Sequence, residues 1–295
     1  MQSDGGGFYA YLATPYDSAG NVDAGVLREY VATILEAGVT GVTCLASTCE
    51  GPYLTEQERR LVADTVGKAV AGRARLNVGI GAHSTRQAIE EAKAARGAGA
   101  TSLMLEMQQY FPVGFKSAHQ HFAEVADAVP LPIRLYNLPL PTRFDFTPER
   151  VAAMADIAAI HSVKEASGDA TRIRDIKSLC GKRFKVHVGF HFQALEGFRL
   201  GGEGWEVMLH PAIAKLCVEL FGLLSADPQS AEGEALFRRL EPLFHFFRQY
   251  GVPQSIKAMS QWSEPNLGKP RAPYAQLAPA AAARLKQILK ELDLS

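Results

Sequence analysis

The chain reads as a closed (β/α)8 barrel, the TIM-barrel class of α/β fold, with a carboxy-terminal helical extension, and three observations carry that reading. Short β-branched or apolar runs alternate with stretches of helical periodicity at intervals of roughly 25 to 30 residues, the spacing of a βα unit. Eight such runs can be marked before the pattern turns wholly helical. The glycine fingerprint of an open dinucleotide-binding sheet does not follow the first run, and Gly79-Ile80-Gly81-Ala82 lacks the third glycine and the acidic partner it would need.

The strand candidates, in order, are Tyr9 to Ala13, Gly41 to Leu45, Leu76 to Gly79, Ser102 to Leu105, Ile133 to Tyr136, Ile160 to Val163, Lys185 to Val188 and Trp205 to Met208. Amphipathic periodicity predicts helices between them at Ala24 to Ala37, Glu56 to Val70, Thr85 to Gly97, Ser117 to Val129, Pro148 to Ala155 and Thr171 to Cys180. Thr55 ahead of Glu56 to Glu58 is an N-cap with an acidic first turn, and Thr147-Pro148-Glu149 sets proline at the first helical position. Gly38, Gly97 and Gly181 suit C-cap geometry. Beyond the eighth strand the pattern is helical again at Ile213 to Leu224, Ala231 to Tyr250, Gln254 to Trp262 and Ala280 to Leu292, punctuated by prolines. The reading therefore divides the chain into a barrel, residues 1–211, and a helical extension packed on it, residues 212–295.

With 295 residues the chain is long enough for one large barrel, and 47% hydrophobic composition is enough to fill it. Lys+Arg 31 against Asp+Glu 31 leaves a formal net charge of +0, so no global field favours nucleic acid or anionic lipid. Met1 to Gly7 is polar and glycine-rich, and no later stretch is apolar for long enough to span a bilayer. A soluble cytoplasmic protein is the expectation. Cys44, Cys49, Cys180 and Cys217 form no Cys-x-x-Cys pair and no zinc-like spacing with histidine, so reduced thiols and no metal are expected.

In a barrel, chemistry gathers at the carboxyl ends of the strands. Ala46-Ser47-Thr48-Cys49-Glu50-Gly51 follows the second strand, Gln109-Tyr110-Phe111 the fourth, Tyr136-Asn137-Leu138-Pro139 ends the fifth, Lys164-Glu165 the sixth, and Gly189-Phe190-His191 the seventh. Lys164 is the most informative of these. It closes a mostly apolar run, where lost hydration disfavours the ammonium form and leaves a neutral amine near neutral pH. Such an amine can attack a ketone and form a Schiff base.

Ser47-Thr48-Cys49-Glu50 with Leu54-Thr55-Glu56-Gln57-Glu58, then Tyr136-Asn137-Leu138-Pro139, then Val163-Lys164-Glu165-Ala166-Ser167-Gly168, resembles the dihydrodipicolinate synthase and N-acetylneuraminate lyase superfamily of Schiff-base class I aldolases. Gly79 to Thr85 and Gly268-Lys269-Pro270-Arg271-Ala272-Pro273 extend the resemblance over nearly the whole chain. The resemblance implies a cofactor-free enzyme in which Lys164 condenses with pyruvate or another 2-oxo acid. It further implies that Tyr136 shuttles protons, that Thr48 is the relay hydroxyl beside it, and that Tyr110 reaches into a neighbouring subunit of a homodimer or homotetramer. Ser47 and Thr48 match the pocket for the substrate carboxylate, where aligned amides neutralise an anion without a metal.

Departures from the family pattern concern the second substrate, an aldehyde in the family's condensations. Cys49 stands where a glycine is usual, so the loop must keep a permitted backbone angle or shift. Pro141 occupies the place of an arginine that grips the second substrate's carboxylate, which argues against the lysine-biosynthesis synthase itself; Arg143 is the alternative cation nearby. Phe190-His191 and Leu209-His210 suggest a pocket more apolar and aromatic, with Gly189, Phe190, His191, His210 and Arg143 as candidate substrate contacts. Glu50 is expected to support the hydroxyl loop. Two alternatives stay open: a dehydratase or deaminase using the same imine, and a catalytically silent 2-oxo acid binding or regulatory protein.

Overall fold

The computed structural model describes residues 6–294, so the first five residues of the polar amino-terminal stretch lie outside it. Eight parallel strands pair in chain order and the last returns to the first, closing the barrel. They are β1 (Phe8–Tyr11), β2 (Gly41–Cys44), β3 (Arg75–Ile80), β4 (Ser102–Glu106), β5 (Ile133–Asn137), β6 (Ile160–Glu165), β7 (Lys185–Val188) and β8 (Gly204–Met208). Nearly every strand residue is buried, because side chains face the barrel axis on one side and the surrounding helices on the other.

The helices around the sheet are α1 (Ala24–Glu36), α2 (Glu56–Val70), α3 (Thr85–Gly97), α4 (Phe115–Ala128), α5 (Pro139–Thr142), α6 (Pro148–Ala153), α7 (Thr171–Cys180), α8 (Ala194–Arg199) and α9 (Pro211–Ala226). Beyond them come α10 (Ala231–Tyr250), α11 (Val252–Met259) and α12 (Pro279–Glu291). Thr55 caps α2 with a full capping box, its side chain accepting from Glu58 N while Glu58 accepts from Thr55 N at 2.9 Å. Gly38 and Gly181 take positive φ past α1 and α7, whereas Gly97 is the last residue of α3 and Gly99 takes the left-handed turn instead. The short helices α5 and α8 have no counterpart in the periodicity reading. Each is too brief to show a repeat, and α8 holds Gly197 in its middle.

Helix α9, with which the expected extension begins, packs against α1 and α8 of the barrel and against α10. The extension then reaches back over the barrel mouth through α11 and the segment behind it. Among the described residues no helix is long and apolar enough to cross a membrane.

The barrel axis is filled with polar side chains rather than branched aliphatic layers. Asn77 bonds Thr43 at 3.3 Å and accepts from Ser102 at 2.9 Å, and Arg134 Nε donates to Ser162 at 2.9 Å. Glu206 pairs with Arg134 at 2.5 Å and His187 at 2.9 Å, and also accepts from the Tyr11 hydroxyl at 2.8 Å. A satisfied network of this kind orients its members rigidly.

Candidate active site

Two strand registers build the heart of the site. Glu106 on β4 pairs with Tyr136 on β5, and Tyr136 pairs with Lys164 on β6, so three chemically distinct groups stand side by side at one level of adjacent strands. Because side chains alternate along a strand, the same level is reached two residues above Met104, Arg134 and Ser162, all engaged in the axial network.

Lys164 is 2% exposed and its Nζ lies 3.9 Å from the centre of the Tyr11 ring and 4.3 Å from that of Tyr136. Burial lowers its pKa to about 8, against the opposing pull of Glu206, Cys49 and Glu106. Glu206 itself is pushed up by burial, but Arg134, His187 and Lys164 outweigh that and hold it down at about 2, so a carboxylate persists beneath the amine. Burial and the nearby Glu106 raise the Tyr136 phenol, while the Ser47 hydroxyl beside it works the other way. A phenol that holds its proton and an amine that readily loses one are matched for work on a bound carbonyl.

The hydroxyl loop is a short 3-10 turn, Ser47–Cys49, flanked by Leu45 at φ 62 and Glu50 at φ 63. Non-glycine residues in the left-handed region are uncommon and mark a backbone held by its surroundings. The usual glycine position, Cys49, does not carry a positive angle, whereas Glu50 does. Cys49 is buried with its thiol toward the Thr43 carbonyl at 3.6 Å, and its own carbonyl accepts from Thr14 at 2.7 Å. Gly51 admits the fold of the loop, since a Cβ there would lie 2.0 Å from the Leu45 carbonyl oxygen.

Glu50 anchors this loop to the extension. Lys257 of α11 pairs with it at 3.0 Å, and Arg271 N donates to its other oxygen at 2.9 Å. Arg271 in turn forks onto Glu58 at 2.6 Å and 2.8 Å. The segment from Gly268 to Pro273, which stood out in the sequence without a role, is thus the clamp over the mouth of the barrel.

The other residues singled out in the sequence scatter. The Ser47 hydroxyl lies beside Tyr136, and Ser47 and Thr48 are both half-buried. Tyr110 is 84% exposed and meets Phe111 edge-on, away from Tyr136 within one chain. Gly189 sits at the end of β7 against the Glu165 carbonyl. Phe190 stacks on Phe192, and it is the Phe192 ring that lies under Arg248 of α10. His191 donates from Nε2 to the Met208 carbonyl at 2.9 Å and packs against Phe244 and Phe247, and burial lowers its pKa to about 3. His210 caps α9, accepting from Ala212 N at 3.2 Å, and burial lowers it to about 4. Arg143 is an exposed left-handed residue at the end of α5 whose carbonyl accepts from Gln109 at 2.7 Å. His191 is thus occupied by the protein itself, whereas His210 spends Nδ1 on the cap of α9 and keeps a buried Nε2 with no hydrogen-bond partner among the described residues. Among the described residues there is no cluster of three or more His, Cys, Asp or Glu able to hold a metal.

Tyr11, Glu206 and Glu106 were not singled out by sequence reasoning. Their signal was present: a charge or phenol within, or one residue beyond, an otherwise apolar strand, the same signal that marks Lys164.

The dihydrodipicolinate synthetase family profile matches residues 5–292. A 4-hydroxy-tetrahydrodipicolinate synthase of Synechococcus sp. is 32% identical over 288 residues, covering 96% of this chain and 92% of the relative. One from Halorhodospira halophila is 32% identical over 278 residues, covering 92% and 91%. The crystal structure of a dihydrodipicolinate synthase from Agrobacterium tumefaciens superposes with a TM-score of 0.91 at 29% identity, covering 97% of this chain and 98% of that one.

Proposed function

The chain belongs to the dihydrodipicolinate synthetase family and is an enzyme of the class I aldolase and lyase type, and from that premise we propose that it acts on pyruvate or another 2-oxo acid through an imine on Lys164. The observation that carries this reading is the buried amine, with a pKa lowered to about 8, held between the rings of Tyr11 and Tyr136. The neutral amine adds to the carbonyl carbon, and the carbonyl oxygen leaves as water after proton transfers from the amine and the Tyr136 phenol. The resulting iminium draws electrons from the neighbouring carbon, so a carbon-carbon bond there can break or form. Amides and hydroxyls of the Ser47–Thr48 turn take the 2-oxo acid carboxylate, with Ser47 the relay hydroxyl nearest Tyr136.

The second substrate differs from that of the lysine-biosynthesis synthase in this reading. Pro141 offers no cation, and Arg143 is exposed at the end of a four-residue helix. Tyr110 acts across an interface with a second copy: Tyr110, Phe111 and Leu140 are 84%, 77% and 90% exposed, and Gln109 ties their two loops together by donating to the Arg143 carbonyl.

Borohydride reduction in the presence of pyruvate tests the central step. The expected product is a mass adduct on Lys164, absent from Lys164→Ala. If no small 2-oxo acid gives an adduct, the protein is a silent binder and the lyase reading falls.

A further inference from the structure

Glu106 is the one group in the three-strand row that neither the imine chemistry nor the carboxylate pocket uses. It closes β4, in register with Tyr136, and is 4% exposed. Its Oε1 accepts from Gln108 Nε2 at 2.8 Å, which fixes the carboxyl plane. Its Oε2 is buried and has no hydrogen-bond partner among the described residues. A buried carboxyl oxygen left unmatched is costly, and such atoms in a folded protein call for a reason. Gly81 on the neighbouring loop leaves room beside it, since a Cβ there would lie 2.8 Å from Gln108 and 3.1 Å from Glu106 Oε1. Burial raises the Glu106 pKa against the influence of Gln108, Lys164 and Arg59.

We propose that Glu106 is a specificity-determining residue whose free carboxyl oxygen hydrogen-bonds a hydroxyl carried by the substrate chain beyond the imine carbon, so that the site selects hydroxylated 2-oxo acids over their hydrocarbon isosteres. This rests on the Lys164 imine. It adds a polar group to the apolar, aromatic second pocket expected from the sequence, because an acid stands next to Tyr136. A pocket built to bond a hydroxyl discriminates strongly against the analogue lacking it, since its own polar atom is then stranded.

The test is a competition between isosteres, read as two adduct masses on Lys164 after borohydride reduction. Equimolar 3-hydroxypyruvate and 2-oxobutanoate form one pair; 5-hydroxy-2-oxopentanoate and 2-oxohexanoate probe a longer reach. In at least one pair the hydroxylated acid should dominate in the wild type, and Glu106→Leu should lower that adduct ratio at least tenfold, with Glu106→Gln between them. Because the readout is a ratio within one sample, differences in overall reactivity between variants cancel, and the ratio that the same pair gives on a free amine sets the baseline for the wild type. The wild-type ratio stands as evidence even if Glu106→Leu does not fold, with Glu106→Gln as its isosteric comparison. A wild type that traps pyruvate but shows no preference in either pair, or traps none of the four acids, overturns this proposal alone; so does a ratio unchanged in the variants. A wild type that traps no 2-oxo acid, pyruvate included, overturns the imine reading and this one together.

Discussion

Lys164 illustrates how a single side chain is tuned by what surrounds it. With a pKa of about 8, roughly one amine in ten is neutral at pH 7, against about one in three thousand for an unshifted lysine. The rate of pyruvate imine formation should therefore climb with pH and level off above a midpoint near 8, as followed by adduct formation in timed borohydride quenches. The same shift has a stability counterpart. Between the folded value of about 8 and the ordinary lysine value of 10.5, the unfolded chain holds a proton that the folded chain has lost, so this group opposes folding most strongly below pH 8 and the penalty fades as pH rises. Lys164→Met should accordingly stabilise the fold by on the order of 2–3 kcal/mol at pH 7, shrinking below about 1 kcal/mol by pH 10, in paired denaturant titrations. Tyr136→Phe keeps the ring against Lys164 but removes the phenolic proton. Turnover should drop by about 10²–10⁴-fold, and the Lys164 adduct should still form but more slowly, because the phenol no longer helps water leave.

Among elements, the instructive coupling is between the hydroxyl loop and the extension. Glu50 and Lys257 are both wholly buried, lie far apart in sequence, and hold the strained turn that carries Ser47 and Thr48. Burial lowers Lys257 to about 8 even with Glu50 opposing, so the ammonium depends on its partner. Lys257→Met should cost about 3–5 kcal/mol because it leaves Glu50 buried without its cation, and adding Glu50→Gln should recover part of that loss. Thermal denaturation of the two single variants and the double variant measures the coupling directly. The loop also links stability to binding: a loosened turn should weaken affinity for the 2-oxo acid more than it slows the bound imine.

At the scale of the whole molecule, the barrel mouth leaves Tyr110, Phe111 and Leu140 bare while its other side is covered by the clamp from α11 to Pro273. If a second copy covers the bare side, Phe111→Asp with Leu140→Asp should give a monomer in sedimentation velocity, with turnover reduced and the Lys164 adduct retained. A wild type that sediments as a monomer at every concentration excludes Tyr110 from the relay.

Strand and helix order was legible because each βα unit repeats its own pattern: apolar runs buried on both faces, amphipathic helices with caps such as Thr55, and Lys164 where an apolar run ends. The family motifs added the chemistry of that lysine. Short helices such as α8, whose few residues show no period, and the packing of α9 against α1 and α8 were not legible, because packing partners rather than local pattern define them. Nor were Tyr11, Glu106 and Glu206 as members of one site, or the hydrogen bond that holds His191 against β8. Periodicity tells which face a residue takes; only the closure of eight strands, with its register between β4, β5 and β6, decides which faces meet. A charge at a strand end acquires its pKa and its partners from neighbours that lie dozens of residues away along the chain.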